Sequence, residues 1–242
     1  SRLEYILEQN GYYKMNKLLS IIEAYKDLIK GIEDKAKIST NRAYGGIIRA
    51  GKGKLVESIG KNLIEIAWEE LNMPLENLKF SNKRVKIPIN KNYLERIKNI
   101  EVRKFIEENI DKYFYPLKVD IQVYVKNKFK IAIECKSYTE NAMLKRILVD
   151  FTLLKNLYPD LKFVLLQLES QLGGDFSSMV VAKYGSPSTH TILSYFDINI
   201  HIITLLKGER KVDKPIHKRD YYKPLQIDSL KEAVEVFKFL LS

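Results

Sequence analysis

Apolar residues recur at helical spacing through 1–38, with Leu18, Leu19, Ile21, Ile22, Tyr25, Leu28, Ile29 and Ile32 set among Lys and Glu. The pattern predicts a packing or dimerisation helix that ends near Ser39-Thr40-Asn41. Residues 39–54 hold four glycines and several cations and read as a basic loop. A helix is expected from Lys54 to Asn72, with Leu55, Ile59, Leu63, Ile66, Ala67 and Leu71 as its stripe and Pro74 beyond its end. Arg84 to Ile89 alternates as a short strand, and Pro88 suits an edge. Residues 92–112 read as a further helix, with Leu94, Ile97, Val102, Phe105, Ile106 and Ile110 buried.

The clearest alternation comes next. Leu117 to Val125 and Phe129 to Lys136 each switch between apolar and polar at every residue, around Lys126-Asn127-Lys128, which predicts a β-hairpin. A helix is expected over 141–157, with Thr139-Glu140 as its cap and Pro159 beyond its end. The nearly unbroken apolar run 161–168 fits a strand buried on both faces. Residues 169–191 read as loop, 198–206 as a strand and 229–241 as an amphipathic helix. This order gives an α/β fold, a central mixed β-sheet flanked by helices, with an N-terminal helical extension.

Composition narrows the function. The 242 residues carry 41 Lys+Arg against 30 Asp+Glu, a formal charge of +11, which favours an anionic partner such as nucleic acid. No apolar run is long enough to span a bilayer, and no leader pattern opens the chain, so a cytoplasmic protein is expected. The lone Cys135 excludes an internal disulfide and a multi-cysteine zinc site, and three scattered histidines argue against a His-rich metal centre. Gly46-x-x-x-x-Gly51-Lys52 is only half of a phosphate-binding loop, because Gly53 stands where Ser or Thr is needed. There is no His-Glu-x-x-His and no Gly-x-Ser-x-Gly, and no small-molecule cofactor is expected.

The hairpin carries the candidate chemistry. A three-residue turn pairs 125 with 129, so Val123 faces Ile131, Ile121 faces Ile133 and Asp120 falls opposite Glu134. Two carboxylates placed across from one another repel unless a cation lies between them. A hard divalent ion meets that need. Lys136 shares the face of Glu134. Such a set can hydrolyse a phosphodiester, the metal and lysine stabilising phosphate charge. The same pattern also fits the solvated face of a half-exposed hairpin.

Val119-Asp120, thirteen intervening residues, then Glu134-Cys135-Lys136 resembles the PD-(D/E)XK nuclease signature, with Val119 in the place of the Pro. The element order over 49–168 is similar to that family's αβββαβ core. The resemblance implies Asp120 and Glu134 as Mg²⁺ ligands, the backbone carbonyl of Cys135 as a further ligand, and Lys136 beside the attacking water. The Cys135 side chain should then point into the core and be inert. Arg49-Ala50-Gly51-Lys52 with Glu57 on a helix looks like the segment before the core in many type II restriction endonucleases. Glu57 is therefore a fourth candidate, with Glu65 its competitor, although an i,i+4 pair with Lys61 accounts for Glu57 equally.

Candidate DNA contacts are Arg49, Lys52 and Lys54, Arg146 (or a pair with Asp150), and Lys183, Tyr184, Ser188, Thr189 and His190 of the polar loop. The basic stretch 207–223 could track phosphates. The expected protein is one nuclease domain over 1–242, with 1–45 a helical extension, 49–168 the core, and 169–242 the recognition loop, extra strand and last helix. The resemblance implies a Mg²⁺-dependent type II restriction enzyme, a homodimer that cuts double-stranded DNA to 5′-phosphate ends. A structure-specific repair nuclease and a non-catalytic basic DNA-binding protein are the alternatives.

Overall fold

A computed structural model describes the backbone of residues 2–37, 41–177 and 185–242, and the side chains of 11, 13–31, 51–177 and 185–242. Lys183 and Tyr184 lie outside the described residues, and the side chain of Arg49 does also. Among the described residues, no helix is long and apolar enough to cross a membrane.

The helices α1 (Arg2–Lys37) and α2 (Asn41–Glu70) precede the sheet. The strands are β1 (Leu78–Ser81), β2 (Val85–Pro88), β3 (Phe114–Leu117), β4 (Ile121–Val125), β5 (Lys128–Glu140), β6 (Lys162–Gln171) and β7 (Ile200–Thr204). The remaining helices are α3 (Lys91–Leu94), α4 (Ile100–Glu108), α5 (Asn141–Leu157), α6 (Pro187–Ser194) and α7 (Ile227–Leu241). Five strands form one mixed sheet in the order β1-β4-β5-β6-β7, and β2 and β3 form a separate two-stranded ribbon. β1, β4 and β5 are antiparallel, whereas β6 and β7 continue in parallel after α5 crosses over. The sheet with α2 and α5 is thus the expected αβββαβ core, extended by β7.

β6 explains how the layers hold. Eight successive residues of it are buried, because both faces are covered. Val164, Leu166 and Leu168 join α2 and α7 in one core, while Phe163 and Leu165 join α5 in another. α2 approaches the sheet closely at Gly60, where a Cβ would stand 2.8 Å from Leu166 Cδ2 and 3.0 Å from Ile121 Cδ1. The apolar stripe of α1 is spent within the chain: Leu18, Ile21, Tyr25 and Ile29 are buried, and the Tyr25 hydroxyl donates to the Lys223 carbonyl at 2.6 Å.

Several local expectations are corrected. The Gly-rich segment 41–54 is helical and belongs to α2. Each glycine costs about 1 kcal/mol there relative to Ala, but each core side chain that α2 buries returns roughly 1.5–3 kcal/mol. The helix ends at Glu70, and Asn72, with a φ of 55°, turns the chain away just before Pro74. Residues 92–112 are two short helices, because Asn90 and Asn99 each cap a new start by accepting from Asn92 N and Val102 N. Val102 and Phe105 are exposed, not buried. The segment 169–191 is not all loop, since β6 runs to Gln171 and α6 begins at Pro187. β5 runs to Glu140, which precedes α5 without a side-chain cap bond.

Candidate active site

The hairpin turn has two residues, not three. Lys126 and Asn127 both have positive φ (49° and 64°), the signature of a tight hairpin turn, and Val125 pairs with Lys128. A bulge beyond Tyr124–Phe129 then leaves Lys130 unpaired and restores the expected register, Val123 with Ile131 and Ile121 with Ile133. The bulge matters because a register slip of one residue would turn Glu134 and Lys136 to the opposite face. β4 begins at Ile121, so Asp120 sits in the bend just before the ladder.

Asp120, Glu134 and Lys136 meet there. Lys136 Nζ lies 2.6 Å from Glu134 Oε2 and 3.1 Å from Asp120 Oδ2, so a single ammonium bridges the two carboxylates. The Cys135 N–H donates to the same Asp120 oxygen at 2.8 Å, which fixes that carboxylate against β5. Burial pushes the Glu134 carboxyl up to about 7 against the pull of Lys136, and the neighbouring Asp120 charge adds to the rise. Burial works against the Lys136 ammonium as well, but the charges of Glu134 and Asp120 and the bonds to them outweigh it and raise its pKa. Lys136 is therefore a cation at neutral pH. The Cys135 side chain points into the core between α2 and the sheet, where burial raises its thiol pKa well above the usual range.

The donor set suits a hard cation. Two carboxylate oxygens already converge on one positive charge, as a divalent ion requires. Glu57 is half-buried on α2, on the side of the sheet where its charge reaches the Cys135 thiol. Among the described residues no group of three or more His, Cys, Asp or Glu converges at metal-binding distances, so Glu57 and Glu65 do not complete a carboxylate trio. A pair suffices for Mg²⁺, which keeps much of its shell for water and phosphate oxygens. Glu57 and Lys61 form no ion pair within 4 Å.

Asp150 is a neighbour that the spacing did not single out for this site. Its charge on α5 raises the Glu134 carboxyl further, and burial raises its own, while Arg146 and Lys136 pull it back. The sequence offered Asp150 only as a partner for Arg146, because its approach to Glu134 depends on how α5 docks. Arg146 is exposed.

The candidate DNA contacts scatter. Lys54 is exposed, but Lys52 is only 8% exposed. Burial drives the Lys52 ammonium down to about 8, with Glu169 opposing and Arg210 reinforcing the fall. Ser188 and His190 are exposed on α6. Thr189 is buried, and its hydroxyl oxygen lies 2.8 Å from the Leu172 carbonyl and 2.7 Å from Asn141 Oδ1, either of which can take its proton, so it anchors α6 internally.

No family model matches the chain. Among solved structures, the native BbvCI A2B2 tetramer is similar at a TM-score of 0.36 and 12% identity, over 96% of this chain and 92% of that one, a likeness too weak to carry an argument. The type II restriction enzyme DdeI of Desulfomicrobium norvegicum is 46% identical over 230 residues, spanning 93% of this chain and 96% of the relative. Identity at that level, over nearly the whole of both chains, means that this chain belongs to the type II restriction enzymes.

Proposed function

We propose that this site-specific deoxyribonuclease cuts double-stranded DNA in a Mg²⁺-dependent reaction centred on Asp120, Glu134 and Lys136, and leaves 5′-phosphate ends. The observation that carries the reading is one ammonium set against two carboxylates at 2.6 and 3.1 Å in a partly buried cluster beside the hairpin. A water oxygen forms the new bond to phosphorus, and the bond from phosphorus to the 3′-oxygen breaks. One water proton passes to solvent, and the departing 3′-oxygen takes one up. Lys136, held protonated by its two neighbours, donates toward the phosphate oxygens as negative charge builds on them. Asp120 and Glu134, with the Cys135 carbonyl, would hold the Mg²⁺, which supplies Lewis acidity and a more acidic bound water. Cys135 N–H and the bulged register keep the Asp120 carboxylate aimed at this point. A homodimer suits the reading, because a two-fold protein matches a palindromic DNA site.

The test is a digest of unmethylated phage DNA with Mg²⁺, with EDTA and Lys136→Ala as controls. Discrete fragments that vanish in both controls are expected. Fragments that persist in EDTA, or intact DNA with the wild-type protein, would overturn it.

A further inference from the structure

The chain between β1 and β4 leaves the sheet as a small unit, β2-α3-α4-β3, and returns next to Asp120. Residues 82–119 hold twice as many Lys and Arg as Asp and Glu, so the unit concentrates the positive charge of the whole protein. Its cations are not equivalent. On α4, Arg103 and Lys104 are matched by Glu107 and Glu108 at 3.7 and 3.9 Å. At the ribbon, Lys83 and Arg84 in the link that enters β2 and Lys86 on β2 itself are exposed, and no described carboxylate lies within ion-pair distance of them.

The ribbon has two faces. Ile87 and Leu117 turn inward and join the core under α5, with Val85 packed beside them. Lys86, Pro88, Phe114 and Pro116 face outward and are exposed, with Lys86 Nζ 4.6 Å from the Phe114 ring centre. The base of the ribbon is tied to the catalytic strand. Gln122, only 1% exposed and two residues past Asp120, donates through Nε2 to the Lys83 carbonyl. Leu117, the partner of Val85, is three residues from Asp120, a span of at most about 11 Å.

We propose that the β2–β3 ribbon is a DNA-contacting element, with Lys83, Arg84 and Lys86 lying along the duplex a few base pairs from the scissile phosphate. It rests on the DNA-cleaving reading above and adds the surface that holds the substrate. A two-stranded ribbon fits the major groove of B-form DNA. Unmatched exposed cations on such a ribbon call for a polyanion, and the buried underside keeps the ribbon stiff.

The experiment uses the full chain with Lys83→Ala, Arg84→Ala and Lys86→Ala combined, and Arg103→Ala/Lys104→Ala as the comparison. Binding to a duplex carrying the site mapped by the digest is followed by fluorescence anisotropy in EDTA, from about 50 to 200 mM salt. Circular dichroism melting confirms that each variant is folded, and sedimentation velocity reports its oligomeric state. The ribbon variant is expected to bind at least about tenfold more weakly, with a salt slope shallower by about 0.9 for each phosphate contact removed. The α4 variant is expected to bind like wild type. Ribbon-variant binding and slope equal to wild type, with wild-type binding intact, overturn this inference alone. So does a loss of binding that tracks a change in oligomeric state, which makes the unit a protein interface instead. A wild-type digest that yields no fragments, and so no mapped site, overturns the nuclease reading itself. If folding fails in the triple variant, Arg84→Ala and Lys86→Ala tested singly decide by the same two readouts.

Discussion

Lys52→Met should stabilise the protein, although it removes a charge beside a carboxylate. Lys52, on α2 near Glu169 and Arg210, is 8% exposed, and burial takes its pKa from 10.5 to about 8. At about 1.4 kcal/mol per pH unit, that displacement means the folded state bears on the order of 3 kcal/mol for keeping the ammonium charged at neutral pH. Methionine fills similar space without the charge. Glu169 keeps Lys223 as its ion-pair partner at 2.9 Å, so it is not left bare. The sign of the pH effect depends on which state holds the proton. Below about pH 8 the lysine is charged in both states, and the penalty is complete. Between about 8 and 10.5 the folded state sheds its proton first, the unfolded state binds more, and wild-type stability rises. The variant lacks that rise. Urea unfolding of both proteins at neutral pH and across the alkaline window measures the difference directly, and subtraction cancels the other titrating groups. A variant less stable than wild type at pH 7, or a difference that stays flat between pH 8 and 10.5, would refute the reasoning and show that Glu169 holds the ammonium at a net gain.

The geometry sets three further outcomes. Lys136→Ala should lower the cleavage rate roughly 100- to 1000-fold while duplex binding in EDTA persists, measured by single-turnover cleavage and anisotropy; loss of binding in step with cleavage would contradict its role at the phosphate. Gly60→Ala should destabilise by about 1–3 kcal/mol, seen as a lower Tm, because the added methyl meets Leu166 and Ile121 on the sheet. His201, half-buried beside Phe239, has its pKa lowered by burial and by Lys162. The folded state therefore resists protonating it, and stability should decline as pH falls below about 6.5. His201→Leu should flatten that decline in denaturant titrations from about pH 7 to 5.

Much of this protein was legible in its sequence. The two strands of the hairpin, the continuous apolar run of β6 and the stripe of α7 each announce their surroundings locally, because alternation, a buried run and a 3.6-residue period are set by neighbours along the chain. The spacing of Asp120, Glu134 and Lys136 survived for the same reason, since residues two apart on a strand share a face whatever packs above them. Tertiary structure alone decided the rest. The four glycines of 41–54 signal a loop by propensity, whereas the segment is helical and runs without a break into the part of α2 that packs in the core from Leu55 onward. The turn of the hairpin needed a bulge at Lys130 to reconcile a two-residue loop with the pleat, which no local pattern records. Asp150 reaches the site because α5 lies across β5, and Lys52 is buried because α2 turns it inward beside Glu169. Local propensity acts through a few bonds, whereas the burial and charge of a side chain are set by residues far away in sequence. The pattern along the chain therefore determined which residues could do the chemistry, and the packing of α2 and α5 on the sheet determined their neighbours.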